Sequence, residues 1–139
     1  MRTGFSFLVV AVVVAGFALL PAAVPVVAHH SFAAQFDRAK PITLNGSVTK
    51  LEWINPHARF FIDVKDAGGK VVNWEVELAS PNGLMRRGWT RNSLKAGQMI
   101  TVTGWSAKDG SNVANAQAVT LSDGKKVFAG SSGDDEATK

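Results

Sequence analysis

From Ile42 onward the chain alternates apolar and polar residues with the period of two that a half-buried strand requires. Ile42, Leu44, Gly46 and Val48 share one parity, and Leu51 and Trp53 take the other. A strand that exchanges its buried face midway needs an extra residue, so a bulge is predicted near Thr49–Lys50. Asn55–Pro56 ends this strand, because proline has no N–H to give a ladder. Phe60, Ile62 and Val64 then alternate with Arg59, Phe61 and Asp63 in a second strand. Asp66-Ala67-Gly68-Gly69-Lys70 reads as a hairpin turn, and Val72, Trp74, Val76 and Leu78 alternate with Asn73, Glu75 and Glu77 in a third.

Ser80–Pro81 is an N-cap followed by proline at the first helical position, and Gly88 is a helix stop, so one short helix is predicted between them. Leu94-Lys95-Ala96-Gly97 turns into a fourth strand, Met99 to Trp105. Lys108-Asp109-Gly110 turns into a fifth, Ala114 to Leu121, and Ser122-Asp123-Gly124 folds Lys126-Val127-Phe128 back as a short sixth. Three strands, a helix and two strands is the order of an OB-fold. The predicted class is therefore all-β with one short helix, a five- to six-stranded OB-like Greek-key barrel. Trp53, Phe60, Ile62, Trp74, Val76, Leu78, Ile100, Val102 and Val119 carry the alternation and are its expected core; Trp105 is expected to be mostly core as well. Residues 130–139 lack apolar spacing and read as a disordered tail.

The first 28 residues follow a different pattern. Arg2 precedes an apolar stretch from Phe5 to Leu20, and Pro21 and Pro25 interrupt the run before the junction Val26-Val27-Ala28. Small residues at the last and third-last positions mark a cleavable secretory signal, residues 1–28. The run is also long enough to span about 30 Å of hydrocarbon, so an uncleaved membrane anchor is the competing reading. Cleavage leaves a single domain over residues 29–129, with an N-terminal segment 29–41 ahead of the barrel. The mature chain would be periplasmic, with no membrane span.

Of the 139 residues, 15 are basic and 11 acidic; removing Arg2 with the leader leaves a net charge of +3. That excess is mild and scattered, and together with export it argues against a nucleic-acid partner. There is no cysteine, so disulfides, thiol nucleophiles and thiolate metal sites are excluded. The chain has no Gly-rich phosphate loop and no Gly-x-Ser-x-Gly elbow. Glu75 and Glu77 share a strand face, with Asp63 read as lying opposite, but solvated strand faces carry such residues routinely. No enzyme is predicted.

Five strings, in order, resemble a family of small exported bacterial proteins with no assigned function. They are His29-His30-Ser31-Phe32-Ala33-Ala34-Gln35-Phe36-Asp37, Trp53-Ile54-Asn55-Pro56-His57, Ser80-Pro81-Asn82, Arg86-Arg87-Gly88-Trp89 and Val127-Phe128-Ala129-Gly130-Ser131-Ser132. The resemblance implies a compact exported β-domain and brings no activity with it.

Two classes of function follow. The first is a binding module for an unidentified small ligand or exported protein, with Asn55 and His57 in the first loop and Arg86, Arg87 and Trp89 in the helix corner at the barrel rim. The second is a Cu(II)-binding protein that uses His29, His30 and His57, the three histidines of the chain. Cleavage would give His29 a free α-amine, and copper accepts square-planar nitrogen ligation. Amine and imidazole from His29 with the imidazole of His57 resemble the histidine-brace sites of exported copper carriers and polysaccharide monooxygenases. The absence of tyrosine and of a further distant histidine sets this chain apart from those families and puts oxygen chemistry in doubt. A different mode takes the amine, the amide of His30 and the imidazole of His30. Against both stands a plain alternative, in which the terminal histidines are solvated and His57 caps its own turn.

Overall fold

The computed structural model describes residues 31–128; the leader, His29, His30 and the expected tail lie outside the described residues. Eight elements follow one another: α1 (Phe32–Gln35), β1 (Phe36–Glu52), β2 (Arg59–Lys65), β3 (Val71–Glu77), α2 (Pro81–Arg86), β4 (Met99–Ala107), β5 (Val113–Leu121) and β6 (Lys126–Phe128). The strands form one sheet in the order β3-β2-β1-β4-β5-β6, antiparallel at each of these junctions. A short parallel pairing of β3 with β5, Glu75 to Glu77 against Val113 to Asn115, joins the sheet to itself. The result is a closed ring of five strands in OB order. β5 has only two edges: β4 takes one, β3 takes the first half of the other, and β6 pairs its second half, from Ala118 to Thr120.

β1 can serve both halves of the ring because it bends. Its register against β2 shifts between Val48 and Lys50, where the exchange of buried parity requires an extra residue. Two glycines let the backbones close. A Cβ on Gly46 would sit 2.5 Å from the Asp63 carbonyl oxygen, and one on Gly104 would sit 1.9 Å from that of Asn115.

Phe60, Ile62, Val76, Leu78, Ile100, Val102 and Val119 are all buried and form the interior with Leu44, Val48, Ala114 and Ala116. Trp53 and Trp74 are half-buried and pack against the edge of this core rather than within it. α2 starts as its sequence dictates: the Ser80 hydroxyl accepts the Gly83 N–H at 3.2 Å, and Pro81 occupies the first turn. Gly88 ends it at φ 86°. The chain then returns Trp89, 1% exposed, to the core beside Leu84 and Leu94.

Two features depart from the sequence pattern. β1 begins at Phe36, six residues earlier than Ile42, with an irregular register between Phe36 and Pro41. Ahead of it stands a second helix, α1, capped by Ser31. Together they build a small outer cluster in which Phe32, Phe36 and Ala107 are buried and Trp105 and Val113 pack against them. The Phe32 ring meets Trp105 edge-on at 5.4 Å, and the Arg38 guanidinium lies over both rings. Trp105 therefore belongs to the outside of the ring, covered by α1 and the start of β1.

Candidate functional site

Two places on the ring bring chemistry-bearing side chains together. The first is a row across β3, β5 and β4. Val76 and Ala114 point into the core, so their neighbours in the alternation, Glu77 and Asn115, stand on the outer face. Glu77 pairs in register with Asn115, and Asn115 with Trp105. Asn115 is fully buried, and its side-chain amide donates to Glu77 Oε1 at 3.2 Å. His57 comes to the same oxygen from the β1–β2 loop, with Nδ1 at 3.4 Å. The loop turns there through a cis Asn55–Pro56 peptide, and the Ala58–Ala79 backbone bond fastens its end to β3's exit.

Beside this row the outer face of β1–β3 is an ion-pair ladder. Lys50 bonds to Glu52, Arg59 Nε lies 3.6 Å from Glu52 Oε2, and Arg59 donates to Glu75 at 2.8 Å. The Lys50 hydrogen bond, with the charges of Lys50 and Arg59, holds the Glu52 carboxyl below its ordinary range against a smaller opposing desolvation. Asp63 accepts from Asn73 at 2.7 Å. Glu52, Glu75, Glu77 and Asp63 thus each have a partner among the described residues.

The second place is a groove of about 390 Å³ between the β1–β2 loop and the stretch after α2, lined by Trp53, Met85, Trp89, Thr90, Arg91 and Asn92. Its walls are apolar: Trp53 is half-buried, Trp89 forms the floor from the core, and Met85 is 52% exposed. Its polar groups sit together at Thr90 to Asn92. Between Ser80 and Gln98 the chain carries Arg86, Arg87, Arg91 and Lys95 and no acidic residue. Neither Arg91 nor Arg86 has a carboxylate within ion-pair distance among the described residues.

Of the residues singled out by sequence, Trp89 reaches the groove, as its buried floor. Asn55, Arg86 and Arg87 are exposed on the flanking turns and do not line it. His57 stands in the other place, with Glu77, and His29 and His30 lie outside the described residues. Sequence reasoning passed over Met85, on the short helix α2, and Arg91 and Asn92, which sit in an aperiodic turn. It also passed over Asn115, whose signal is a single amide inside the otherwise apolar run from Val113 to Ala116. Among the described residues no group of three or more His, Cys, Asp and Glu could hold a metal ion, and no helix is long and apolar enough to cross a membrane.

A model of a family of unknown function, DUF6152, matches residues 17–116, and the chain belongs to that family. The match begins at residue 17, runs through the first half of β5 and carries no activity. No curated protein matches the chain.

Proposed function

We propose that the protein is an exported, non-enzymatic binding module whose groove between Trp53 and Arg91 takes a small ligand with an apolar or aromatic body and an anionic group. The groove itself carries this reading. Its volume falls in the range of small-molecule sites, and its lining is mostly apolar with a few convergent polar groups. Among the described residues that line it, Arg91 is the one with a formal charge, set in a stretch whose charges are all positive. Residues 1–28 are removed on export in this proposal, leaving the periplasmic chain 29–139.

A fluorescent anion, anilinonaphthalene sulfonate, tests it. The mature protein should bind one equivalent saturably and quench tryptophan emission. Arg91→Ala should weaken binding by up to about fivefold, the worth of a solvent-exposed charge contact, and Trp53→Ala should weaken it further. Equal affinity in all three proteins would contradict the groove. N-terminal sequencing of the accumulated protein should begin at His29; a sequence beginning at Met1 would contradict export by cleavage.

A second reading is Cu(II) binding at the mature N-terminus, and the anchoring of α1 favours it. Phe32 is clamped on Trp105, and Trp105 lies two strands across from Glu77 in register. Neighbouring strands are about 4.8 Å apart, so that separation is roughly 10 Å. A fully extended run of three residues covers about 10 Å, a length comparable to that separation. Binding should release protons and weaken as pH falls, because amine and imidazole nitrogens ligate only when deprotonated. Adding one residue before His29 converts the amine to an amide and should weaken binding sharply. Equal Cu(II) affinity in both forms would remove this reading.

A further inference from the structure

We propose that the groove end of the ring seats on an anionic lipid surface, with Ile54 and Met85 entering the headgroup layer and Arg86, Arg91 and Lys95 meeting lipid phosphates. The inference rests on the groove reading above and names its ligand class: the apolar body is lipid and the anionic group is its phosphate. Two large apolar side chains are bare at this end. Ile54 is 41% exposed in the β1–β2 loop, and Met85 is 52% exposed on α2. Trp53, next to Ile54, and Met85 line the same groove, so both exposed side chains flank one mouth. Ile54 is not part of that lining, and a small ligand filling the groove leaves it bare. An extended apolar layer covers it as well.

The charges around this mouth decide what kind of layer fits. From Ser80 to Gln98 the chain carries Arg86, Arg87, Arg91 and Lys95 and no carboxylate, and all four cations are exposed. Among the described residues, no carboxylate lies within ion-pair distance of Arg86, Arg91 or Lys95. On the opposite wall, the acid next to Trp53 in the chain is Glu52, whose charge is offset by Lys50 and Arg59. Cations around exposed apolar side chains are complementary to an anionic bilayer, where phosphates lie over the acyl chains. Trp53 suits the same depth: it is half-buried, and an indole, apolar with one N–H, favours the boundary between hydrocarbon and headgroups. An acidic peptide would also match the cations. A bound strand or helix makes its contacts along one line, however, whereas these groups stand on two separate elements around an opening.

The test uses the mature protein, free of the apolar leader, co-sedimented with vesicles beside the dye titration described above. One set of vesicles is pure phosphatidylcholine, and the other mixes it equally with phosphatidylglycerol. Binding should be on the order of 100-fold stronger on the anionic vesicles, about fivefold for each of three cations. It should fall as salt rises from about 0.1 to about 1 M and the screening length shrinks from about 10 to about 3 Å. Arg86→Glu, a change of two charge units, should weaken it roughly 25-fold, and Ile54→Ser about tenfold through the lost apolar contact. Neither side chain lines the groove, so both variants should keep the dye affinity and the melting temperature of the wild type. Dye binding without a preference for anionic vesicles, or vesicle binding unchanged in both variants, overturns this inference and leaves the groove reading standing. A wild type that binds no dye removes the groove reading, and the lipid ligand named for it falls too. Saturable binding of poly-glutamate that is lost in Arg86→Glu, with no vesicle binding, would put an acidic protein partner in place of lipid.

Discussion

Single residues set what this ring can tolerate. At Gly104 a methyl group would meet the Asn115 carbonyl at 1.9 Å, and the neighbour is backbone held between two strands, so it cannot rotate away. Gly104→Ala should therefore destabilise the protein by about 1–3 kcal/mol or more, read by urea unfolding. Trp89→Ala removes the largest fully buried side chain and should cost about 3–5 kcal/mol. The tryptophans show how far a single residue is legible. Trp53, Trp74 and Trp105 all lie in alternation with core residues or beside them, yet none is central. A large ring can satisfy its apolar surface at the edge of the core, as Trp53 and Trp74 do, or under a separate cover, as Trp105 does. Parity alone does not distinguish these outcomes. Glu52 illustrates a charge effect at this scale. Its depressed pKa means that its contribution to stability is present above the ordinary value of 4.5 and is lost as pH falls through the lower folded value. Glu52→Gln should flatten that acid limb slightly, since its partner Lys50 is exposed.

Among the elements, the strands with clean alternation were legible almost to their ends. β2, β3, β4 and β5 appear where Phe60 to Val64, Val72 to Leu78, Met99 to Trp105 and Ala114 to Leu121 demand them, and the bulge in β1 sits between Val48 and Lys50. The start of β1 was not legible, because Arg38-Ala39-Lys40-Pro41 carries no apolar period; those residues are exposed and pair only loosely with β4. α1 was missed for a similar reason: four residues are too short for a helical period, and the helix exists because Phe32 finds Trp105. Phe32→Ala should accordingly detach α1 while leaving the ring intact. Hydrogen exchange is expected to quicken at Ala34 and at Lys108, whose N–H groups bond Ser31 and Gln35 carbonyls, and to stay slow in β2 and β3. α2, by contrast, was marked by Ser80, Pro81 and Gly88. Ser80→Ala should cost about 0.5–2 kcal/mol through the lost cap.

For the whole molecule, the order of elements pointed to the ring, but its closure did not follow from any local pattern. The parallel β3–β5 pairing joins Glu75–Glu77 to residues nearly forty positions later, and nothing in either segment announces the partner. The sites were less legible still. The groove is made by the first loop, the short helix α2 and the turn after it, none long enough to show a period, and the His57–Glu77–Asn115 row exists only because the ring brings the first loop, the third strand and the fifth strand together. Among the described residues, Arg91 is the charged group in the lining of the largely apolar groove. The most direct measurement is amide and indole NMR mapping of the mature protein titrated with anilinonaphthalene sulfonate. Shifts confined to Trp53, Met85 and Trp89 to Asn92, saturating together with one dissociation constant, are the predicted result; shifts centred elsewhere on the ring, with these residues unmoved, would contradict the account.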